Sequence, residues 1–351
     1  MAERIVVISE DLASPWDEGV KKFAWSLAQA LAAEHEVRAV NVDRSDVGDG
    51  GGAVRVPGTR TFMHPRLRAA VRGFHPDAVV YVAAPSATAG SFVRAFALRR
   101  HAPRAALAMV ALIPRHHRAL TAAFLRGAAP DVVLVPSYRS LLHLSDLAVP
   151  AALLPVGVDT GVFRPAQPGE KRALRARHGV SEDATVYLHV GHLRPKRNLG
   201  ALAALASEEG AQLLVVGSTS TPEDGAVRAQ LEAAGARVIR EVVPVEELHR
   251  LADCYVFPVI DSEGCVEMPL SVLEALASGV PVLARPFGGL RDFLPPGEDV
   301  HYFEDETELV AHARALRAGG APLVRDMAAF AWPAVARRLL SALEGPCPDP
   351  R

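Results

Sequence analysis

Two glutamates stand seven residues apart in the stretch EMPLSVLE, at Glu267 and Glu274. Pro269 suits the first turn of a helix, so Glu267 precedes that helix and Glu274 lies about two turns along it. Seven residues at about 100° each return to nearly the same helix face, which predicts that both carboxylates point into one site. A carboxylate accepts two hydrogen bonds and so matches a vicinal diol, as in a ribose or a sugar ring. The alternative is that Glu274 pairs with an arginine at a helix surface.

Cations are concentrated in the loop HLRPKRN, just ahead of a helical pattern. The loop follows the apolar strand pattern TVYLHVG and carries His192, Arg194, Lys196 and Arg197. A helix N-terminus offers free N–H groups and a partial positive charge, so a helix starting near residue 198 would make this loop an anion site. The pattern favours a bound diphosphate over the alternative, which is a solvated basic turn.

Glycines mark further candidate contacts after strands. Gly288 and Gly289 follow the strand pattern VPVLAR, and a residue without a Cβ lets a ligand approach the backbone closely. A helix predicted from about residue 290 would present a second positive N-terminus there. Gly19 has a similar setting after the strand RIVVIS. His116 and His117 follow another strand, where they either assist an acceptor hydroxyl or belong to an exposed polar loop.

Short apolar runs alternate with helical patterns along the whole chain, which is typical of parallel α/β sheets. Ligands of such sheets bind beyond the carboxyl ends of the strands, where these candidates lie. The strands are predicted near 4–9, 36–42, 76–85, 104–114 and 130–137, and then near 185–191, 212–217, 236–242, 254–259 and 280–285.

Length and composition predict the domain organisation and exclude several classes. The 351 residues exceed one typical domain, and a segment rich in Pro and Gly, 155–170, separates the two series of strands. This predicts domains over 1–160 and 161–326, followed by a helical segment, 327–351. A net charge of −2 argues against a generally basic nucleic-acid binder. No apolar run reaches the ~18–20 residues of a membrane span.

Cysteine usage and charge distribution indicate the setting of the protein. Three cysteines without metal-ligand spacing predict a reduced, cytoplasmic environment without disulfides or structural zinc. The N-terminus enters a strand at once, with no secretory pattern. Residues 60–139 hold 12 arginines and two aspartates, a balance of +10. This predicts either solvated helix faces or attraction to an acidic acceptor or to the inner membrane surface, as weak peripheral contact.

Four stretches together resemble the retaining family 4 glycosyltransferases of the GT-B architecture. LPVGVDTGVFRP (154–165) resembles the family segment PNGVDTERFRP, and VGHLRPKRN (190–198) resembles VGRLxPEKG. The stretch 267–294 resembles the donor site EGLPLVVLEAMACGVPVVA…GG. FAWPAVARRLL (330–340) resembles a helix that crosses back to the first domain. The likeness is specific over 154–294 and weak over the N-terminal part of the chain.

The resemblance implies two doubly wound, Rossmann-like α/β domains facing a cleft, the first for an acceptor and the second for a nucleotide sugar. It implies transfer of a sugar from a nucleotide-diphosphate donor to an acceptor hydroxyl, with retention of the anomeric configuration. No cofactor or metal is expected. The expected acceptor is a small molecule, a saccharide or a lipid-linked group, and nucleic acid is not an expected partner.

Site residues follow from the resemblance position by position. Arg197 takes the place of the family's phosphate-binding lysine and His192 that of its arginine, with Lys196 and Arg194 beside them. Glu274 would hold the ribose. Backbone groups near the donor would come from Met268, Pro269, Leu270, Gly288 and Gly289, and Gly19 would serve in the first domain.

The first glutamate of the family's pair aligns with Val266, which is a departure from the pattern. Glu267, one position later, is therefore assigned to the donor sugar, with Glu263 as the competitor. Two other functions remain open. A GT-B sugar-nucleotide epimerase would use the same diphosphate site without an acceptor, and a non-catalytic protein would bind nucleotide sugar without transfer. No GxGxxG follows an early strand, which argues against a dehydrogenase.

Overall fold

A computed structural model of the protein describes residues 2–43, 52–261, 265–317 and 324–345. The strands in chain order are β1 Arg4–Ser9, β2 Glu36–Asp43, β3 Val54–Pro57, β4 Ala78–Val82, β5 Ala106–Val110, β6 Val132–Val135, β7 Ala151–Leu153, β8 Thr185–Val190, β9 Ala211–Val216, β10 Arg237–Ile239, β11 Cys254–Phe257, β12 Val282–Ala284 and β13 Val300–Tyr302. The helices are α1 Gly19–Ala32, α2 Pro65–Arg72, α3 Ala89–His101, α4 Ala122–Gly127, α5 Tyr138–Asp146, α6 Glu170–Arg177, α7 Ala203–Ala206, α8 Gly225–Ala233, α9 Val245–Leu251, α10 Leu270–Ala277, α11 Leu290–Phe293, α12 Glu306–Arg317 and α13 Trp332–Glu344.

The chain divides into two compact units. The first takes in the chain up to Gly157, a short stretch that ends at Met268, and the chain from Trp332 onward. Its seven strands form one parallel sheet in the order β3-β2-β1-β4-β5-β6-β7. Nearly all residues of β1 and β4 are fully buried, as expected for a parallel sheet that is covered on both faces.

The last helix, α13, belongs to the first unit, as the resemblance implies. It presents a stripe of buried residues, including Val335 and Leu339, at helical spacing. Trp332, at its first position, meets the ring of Phe23 in α1 edge to face, with 5.4 Å between centroids. A Cβ on Gly157 would overlap the Trp332 ring, so the motif PVGVD needs its glycine for close packing.

The second unit is built on a six-stranded parallel sheet. Its strands lie in the order β10-β9-β8-β11-β12-β13. Buried apolar residues of the strands and the covering helices form one core, represented by Tyr187, Leu202, Leu213, Val256 and Leu309. No helix in the described part of the chain combines the length and apolar character that crossing a membrane requires.

Two kinds of element differ from the prediction. Strands β3, β7 and β13, which have three or four residues each, were not predicted. The helix expected from about residue 198 is absent. The chain there forms short 3-10 turns over Pro195–Arg197 and Leu199–Leu202, followed by the four-residue helix α7. Asn198 separates the turns in a left-handed conformation, φ 53°, which a continuous α-helix does not allow.

Candidate active site

The carboxyl ends of β8 and β11 form the point of the second sheet where the strand order reverses. In open α/β sheets this switch point is where ligands bind. The basic loop follows β8, and residues 258–261 follow β11. Asn198 Nδ2 donates to the Pro258 carbonyl at 3.1 Å, and Lys196 Nζ lies 3.7 Å from Asp261 Oδ2. These contacts hold the two loops together at the switch point.

The basic loop is anchored by its apolar member and presents its cations outward. Leu193 is buried, and its carbonyl accepts a hydrogen bond from the Asp224 N–H at 2.8 Å. Arg194 and Lys196 are exposed, whereas His192 and Arg197 are half-buried. Because no long helix begins here, the positive potential of the loop comes from its side chains. The prediction that a helix N-terminus adds positive potential to this loop is therefore wrong.

His189 lies buried beneath this loop, at the end of β8. Its Nδ1 is 2.8 Å from the Val256 carbonyl and donates to it. Burial lowers the pKa of His189 to about 4 against the raising effect of that bond, and the charge of Arg197 lowers it further. The ring is therefore neutral at pH 7, and Nε2 has no hydrogen-bond partner among the described residues. A Cβ on Gly191 would lie 2.9 Å from this Nε2, which explains the glycine.

Glu274 is buried on α10, with 4% of its surface exposed. Its Oε2 lies 3.9 Å from Nε2 of His249 in α9, so an imidazole is one of its neighbours. The His249 ring packs against Phe163 at 5.6 Å and Tyr255 at 5.5 Å between centroids. Because Glu274 is buried beside this packed ring, its carboxylate has little rotational freedom.

Tyr255 connects the Glu274 helix to the basic loop. Its Oη lies 2.7 Å from Ser271 Oγ in the first turn of α10 and 3.3 Å from the Val190 carbonyl at the end of β8. His189, His249 and Tyr255 are functional-site candidates that were not predicted from the sequence. His189 and Tyr255 are marked only as polar residues within apolar strands, and no local signal marks His249 in the charged helix α9.

Glu267 has a different environment. The stretch that ends at Met268 belongs to the first unit, and Glu267 is 2% exposed. Its Oε1 accepts from the Ser137 hydroxyl at 2.9 Å and its Oε2 from the Ser140 hydroxyl at 2.7 Å. Its N–H donates to the Leu112 carbonyl at 2.8 Å.

The expectation that helical spacing directs Glu267 and Glu274 to one face is wrong. Helix α10 begins only at Leu270, and Pro269 before it is extended, with φ −66° and ψ 129°. The rotation of 100° per residue therefore does not apply between the two glutamates. The role of Glu267 at the donor sugar stays a prediction. Glu263, its competitor, lies outside the described residues.

The other residues predicted to contact the donor with their backbone lie next to α10 and α11 in the sequence. Met268, Pro269 and Leu270 are buried. Gly288 is exposed with a φ of 52°, and Gly289 is buried at the position before α11. Helix α11 has only four residues, so the predicted second N-terminus is a single turn.

The first unit has its own switch point, between β1 and β4. Glu10, which directly follows β1, accepts hydrogen bonds from Tyr81 Oη at 2.6 Å and the Ala84 N–H at 3.1 Å. Arg94 Nη1 lies 3.1 Å from the same carboxylate. Glu10 and Arg94 line a cavity of about 320 Å³ together with Val42, Gly58, Thr59, Phe62 and Pro85.

Glu10 was missed in the sequence, although its position after RIVVIS could have identified it. Gly19 begins α1 at the far end of the same loop. In this loop, burial raises the pKa of Asp11 to about 6, against the lowering charge of Lys21.

The two predicted histidines, His116 and His117, differ in their surroundings. His117 Nε2 lies 2.7 Å from the Ala87 carbonyl, and the His117 N–H donates to His143 Nε2 at 3.0 Å. His116 is exposed and meets the His143 ring edge to face at 5.5 Å. Over the described ranges, no group of three His, Cys, Asp or Glu side chains is arranged to hold a metal ion.

Comparison with known proteins gives several matches. The family described as Glycosyl transferases group 1 matches residues 184–318. A GDP-mannose-dependent alpha-mannosyltransferase of Mycobacterium tuberculosis (strain CDC 1551 / Oshkosh) is 30% identical over 305 residues, covering 80% of this chain and 75% of that protein. A D-inositol 3-phosphate glycosyltransferase of Geodermatophilus obscurus is 34% identical over 217 residues, which is 54% of this chain and 46% of that protein.

Solved structures share the fold over nearly the whole chain. The Anabaena protein Alr3699/HepE in complex with UDP-glucose has a TM-score of 0.73 at 17% identity, covering 97% of this chain and 99% of that one. AviGT4, a glycosyltransferase involved in avilamycin A biosynthesis, has a TM-score of 0.64 at 18% identity, with 97% of each chain covered. The predicted fold class, two Rossmann-like domains of the GT-B type, is confirmed.

Proposed function

The chain belongs to the glycosyl transferases of group 1, and we therefore propose that it moves a hexose from a nucleoside diphosphate sugar to an acceptor hydroxyl with retention of configuration. One observation carries the proposal. The cationic loop after β8 lies at the switch point of the second sheet, and Tyr255 links it to the helix of the buried Glu274. The arrangement offers positive charge for a diphosphate and an acceptor of hydrogen bonds for a diol.

The diphosphate is the leaving group, and the basic loop supports its departure. As the bond between the anomeric carbon and the phosphate oxygen breaks, negative charge grows on the diphosphate. Arg197, Lys196 and Arg194 supply fixed positive charge for it, and His192 supplies one hydrogen bond. Side-chain cations make a metal ion unnecessary, so we infer that turnover continues in the presence of a chelator.

Retention requires that the acceptor attacks the face from which the diphosphate departs. The anomeric carbon passes through an oxocarbenium-like state, the acceptor oxygen forms the new bond, and the acceptor proton passes to the leaving phosphate oxygen. No side chain has to form a covalent intermediate. Glu274 holds the ribose in this proposal, and backbone groups of Met268, Pro269, Leu270, Gly288 and Gly289 complete the donor contacts.

The first unit provides the acceptor site. Its cavity at Glu10 and Arg94 combines a carboxylate and a guanidinium at the carboxyl ends of strands, which suits a hydroxylated acceptor. Gly19 begins the helix that follows Glu10 along the chain. A cytoplasmic acceptor that is saccharide or lipid-linked fits this proposal, with peripheral contact to the inner membrane surface.

GDP-mannose is the first donor to test, because the relative named for it is similar over most of the chain. We expect GDP to raise the melting temperature, since a ligand at 100 times its Kd stabilises the native state by about 2.7 kcal/mol. Incubation with GDP-mannose and a panel of polyol, saccharide and lipid-linked acceptors should give a product whose NMR anomeric coupling shows retention. UDP-glucose and UDP are the comparison ligands.

Three results of this experiment would contradict the proposal. Turnover of a nucleotide sugar without an acceptor to its epimer would favour the epimerase. Tight binding without transfer to any acceptor would favour the non-catalytic protein. Inversion in the product would contradict retention.

Glu267→Gln tests the proposed sugar contact of that residue. We expect turnover to fall and sugar selectivity to change, because an amide offers one accepting oxygen to the donor sugar where the carboxylate offers two. The matched control is Ser140→Ala, which keeps the carboxylate but removes one anchoring bond, worth about 1.5–3 kcal/mol. The control should lower the melting temperature and leave turnover nearly unchanged. If Glu267→Gln only lowers the melting temperature, Glu267 anchors the fold and does not act on the sugar.

A further inference from the structure

We propose that the exposed side of residues 118–126 in the first unit is a docking surface for an anionic lipid bilayer. This inference rests on the proposed function, because it names where a lipid-linked acceptor would be met. The surface consists of Leu120 and Phe124 flanked by Arg118 and Arg126, and is called the 118–126 surface below.

The apolar side chains of the 118–126 surface point to solvent at helical spacing. Leu120 lies in a 3-10 turn with 94% of its surface exposed, and Phe124 follows in α4 with 46% exposed. They are four positions apart in the sequence, so they lie on the same side of consecutive turns. Leu125 is fully buried and fastens α4 to the core. The segment is thus held in place while its two large apolar groups remain uncovered.

Two exposed arginines bracket these apolar groups. Arg118 precedes Leu120, Arg126 follows Phe124, and no acidic side chain of the described residues forms an ion pair with either. The two acids of the 60–139 window are engaged elsewhere. Asp131 accepts from Arg99 at 2.7 Å, and Asp77 accepts two backbone N–H groups at 2.9 Å. The positive charge of the 118–126 surface is therefore not neutralised within this window.

Helix α5 also carries exposed apolar and cationic side chains. His143 of α5 contacts the rings of His116 and His117, at 5.5 and 5.9 Å, which places α5 beside the start of the 118–126 surface. Arg139 and Leu142 of α5 are three residues apart and both exposed, Leu142 at 61%. Exposed apolar and cationic side chains thus occur on two neighbouring elements, and Asp146 at the end of α5 contributes one negative charge.

This combination matches an anionic membrane surface. Apolar side chains enter the boundary between headgroups and acyl chains, while flanking arginines meet lipid phosphates. Nucleic acid is a poorer fit, because it offers no apolar layer to Leu120 and Phe124. Only a few side chains take part, so binding is weak and falls with salt, since charges are screened within ~8 Å at physiological ionic strength.

Flotation of the full chain with vesicles tests the inference. We expect binding to vesicles of phosphatidylcholine with phosphatidylglycerol, weaker binding at high salt, and little binding to pure phosphatidylcholine. Leu120→Ser combined with Phe124→Ser should weaken binding about tenfold. Arg118→Gln combined with Arg126→Gln should weaken it about 25-fold, at roughly fivefold for each arginine.

Two control variants match these changes. Arg104→Gln removes an exposed arginine of the same unit that precedes β5, whereas the 118–126 surface follows that strand. Val242→Ser removes an apolar side chain of the second unit that is 82% exposed. Both should bind vesicles within about twofold of the unchanged protein.

The outcomes separate this inference from the proposed function. Absence of vesicle binding at low salt, together with normal GDP binding and sugar transfer, would overturn the inference alone. Vesicle binding without any nucleotide binding would overturn the proposed function alone. An effect of Arg104→Gln as large as that of the double arginine variant would show general charge attraction and overturn the local surface. Stronger binding to polyglutamate than to vesicles would assign the surface to an acidic protein partner instead.

Discussion

Arg197→Ala is expected to weaken binding of nucleoside diphosphates by about 10- to 100-fold while leaving nucleoside binding nearly unchanged. Arg197 is half-buried in the loop after β8, close enough to His189 for its charge to lower that pKa. A charge-assisted hydrogen bond to phosphate is worth about 1.5–3 kcal/mol, and each 1.4 kcal/mol is a factor of ten in Kd. Titration calorimetry with GDP and with guanosine measures both affinities.

The control for this change is Arg172→Ala. Arg172 is an exposed arginine of the same unit, paired with Glu182 at 3.1 Å, and lies outside the basic loop. The Arg172→Ala variant should bind both GDP and guanosine with unchanged affinity. If Arg197→Ala weakens GDP and guanosine equally, the arginine supports the fold of the loop and does not bind the diphosphate.

Glu274→Gln is expected to remove the preference for a ribose over a deoxyribose. In the unchanged protein the carboxylate accepts bonds from both ribose hydroxyls, so GDP should bind more tightly than its 2′-deoxy form. An amide offers only one accepting atom, so the variant should lose about 10- to 100-fold for GDP and much less for the deoxy form. The difference between the two losses isolates the contact between the carboxylate and the 2′ hydroxyl, as in a double-mutant cycle.

Glu247→Gln is the matched control for the glutamate. Glu247 also lies in a helix of the second unit and its Oε2 is 2.8 Å from His178 Nε2, yet it belongs to α9 and pairs with Arg177 as well. Its loss should lower the melting temperature without changing either affinity. If Glu274→Gln shows this same pattern, its contact with His249 is structural and the ribose contact is wrong.

Much of the fold follows from local sequence patterns. The apolar run RIVVIS and the helical spacing of Phe23 and Leu27 define β1 and α1, because burial of a strand or a helix face imposes a period that short stretches reveal. The cations of HLRPKRN also follow β8 in the sequence itself. Once parallel strands are predicted, their carboxyl ends must meet at one edge, so the loop's place near a ligand site could be inferred.

The tertiary structure alone decided what the polar side chains contact. Glu267 accepts its hydroxyl bonds from Ser137 and Ser140, which lie 130 and 127 residues earlier in the chain. His189 finds its carbonyl partner 67 residues away. The spacing of apolar residues in the sequence indicates which face of a helix or strand is buried. It does not indicate which residue, distant in the sequence, contacts a given side chain. The seven-residue spacing of the glutamates was misleading for the same reason, because the helix starts at Leu270, between them.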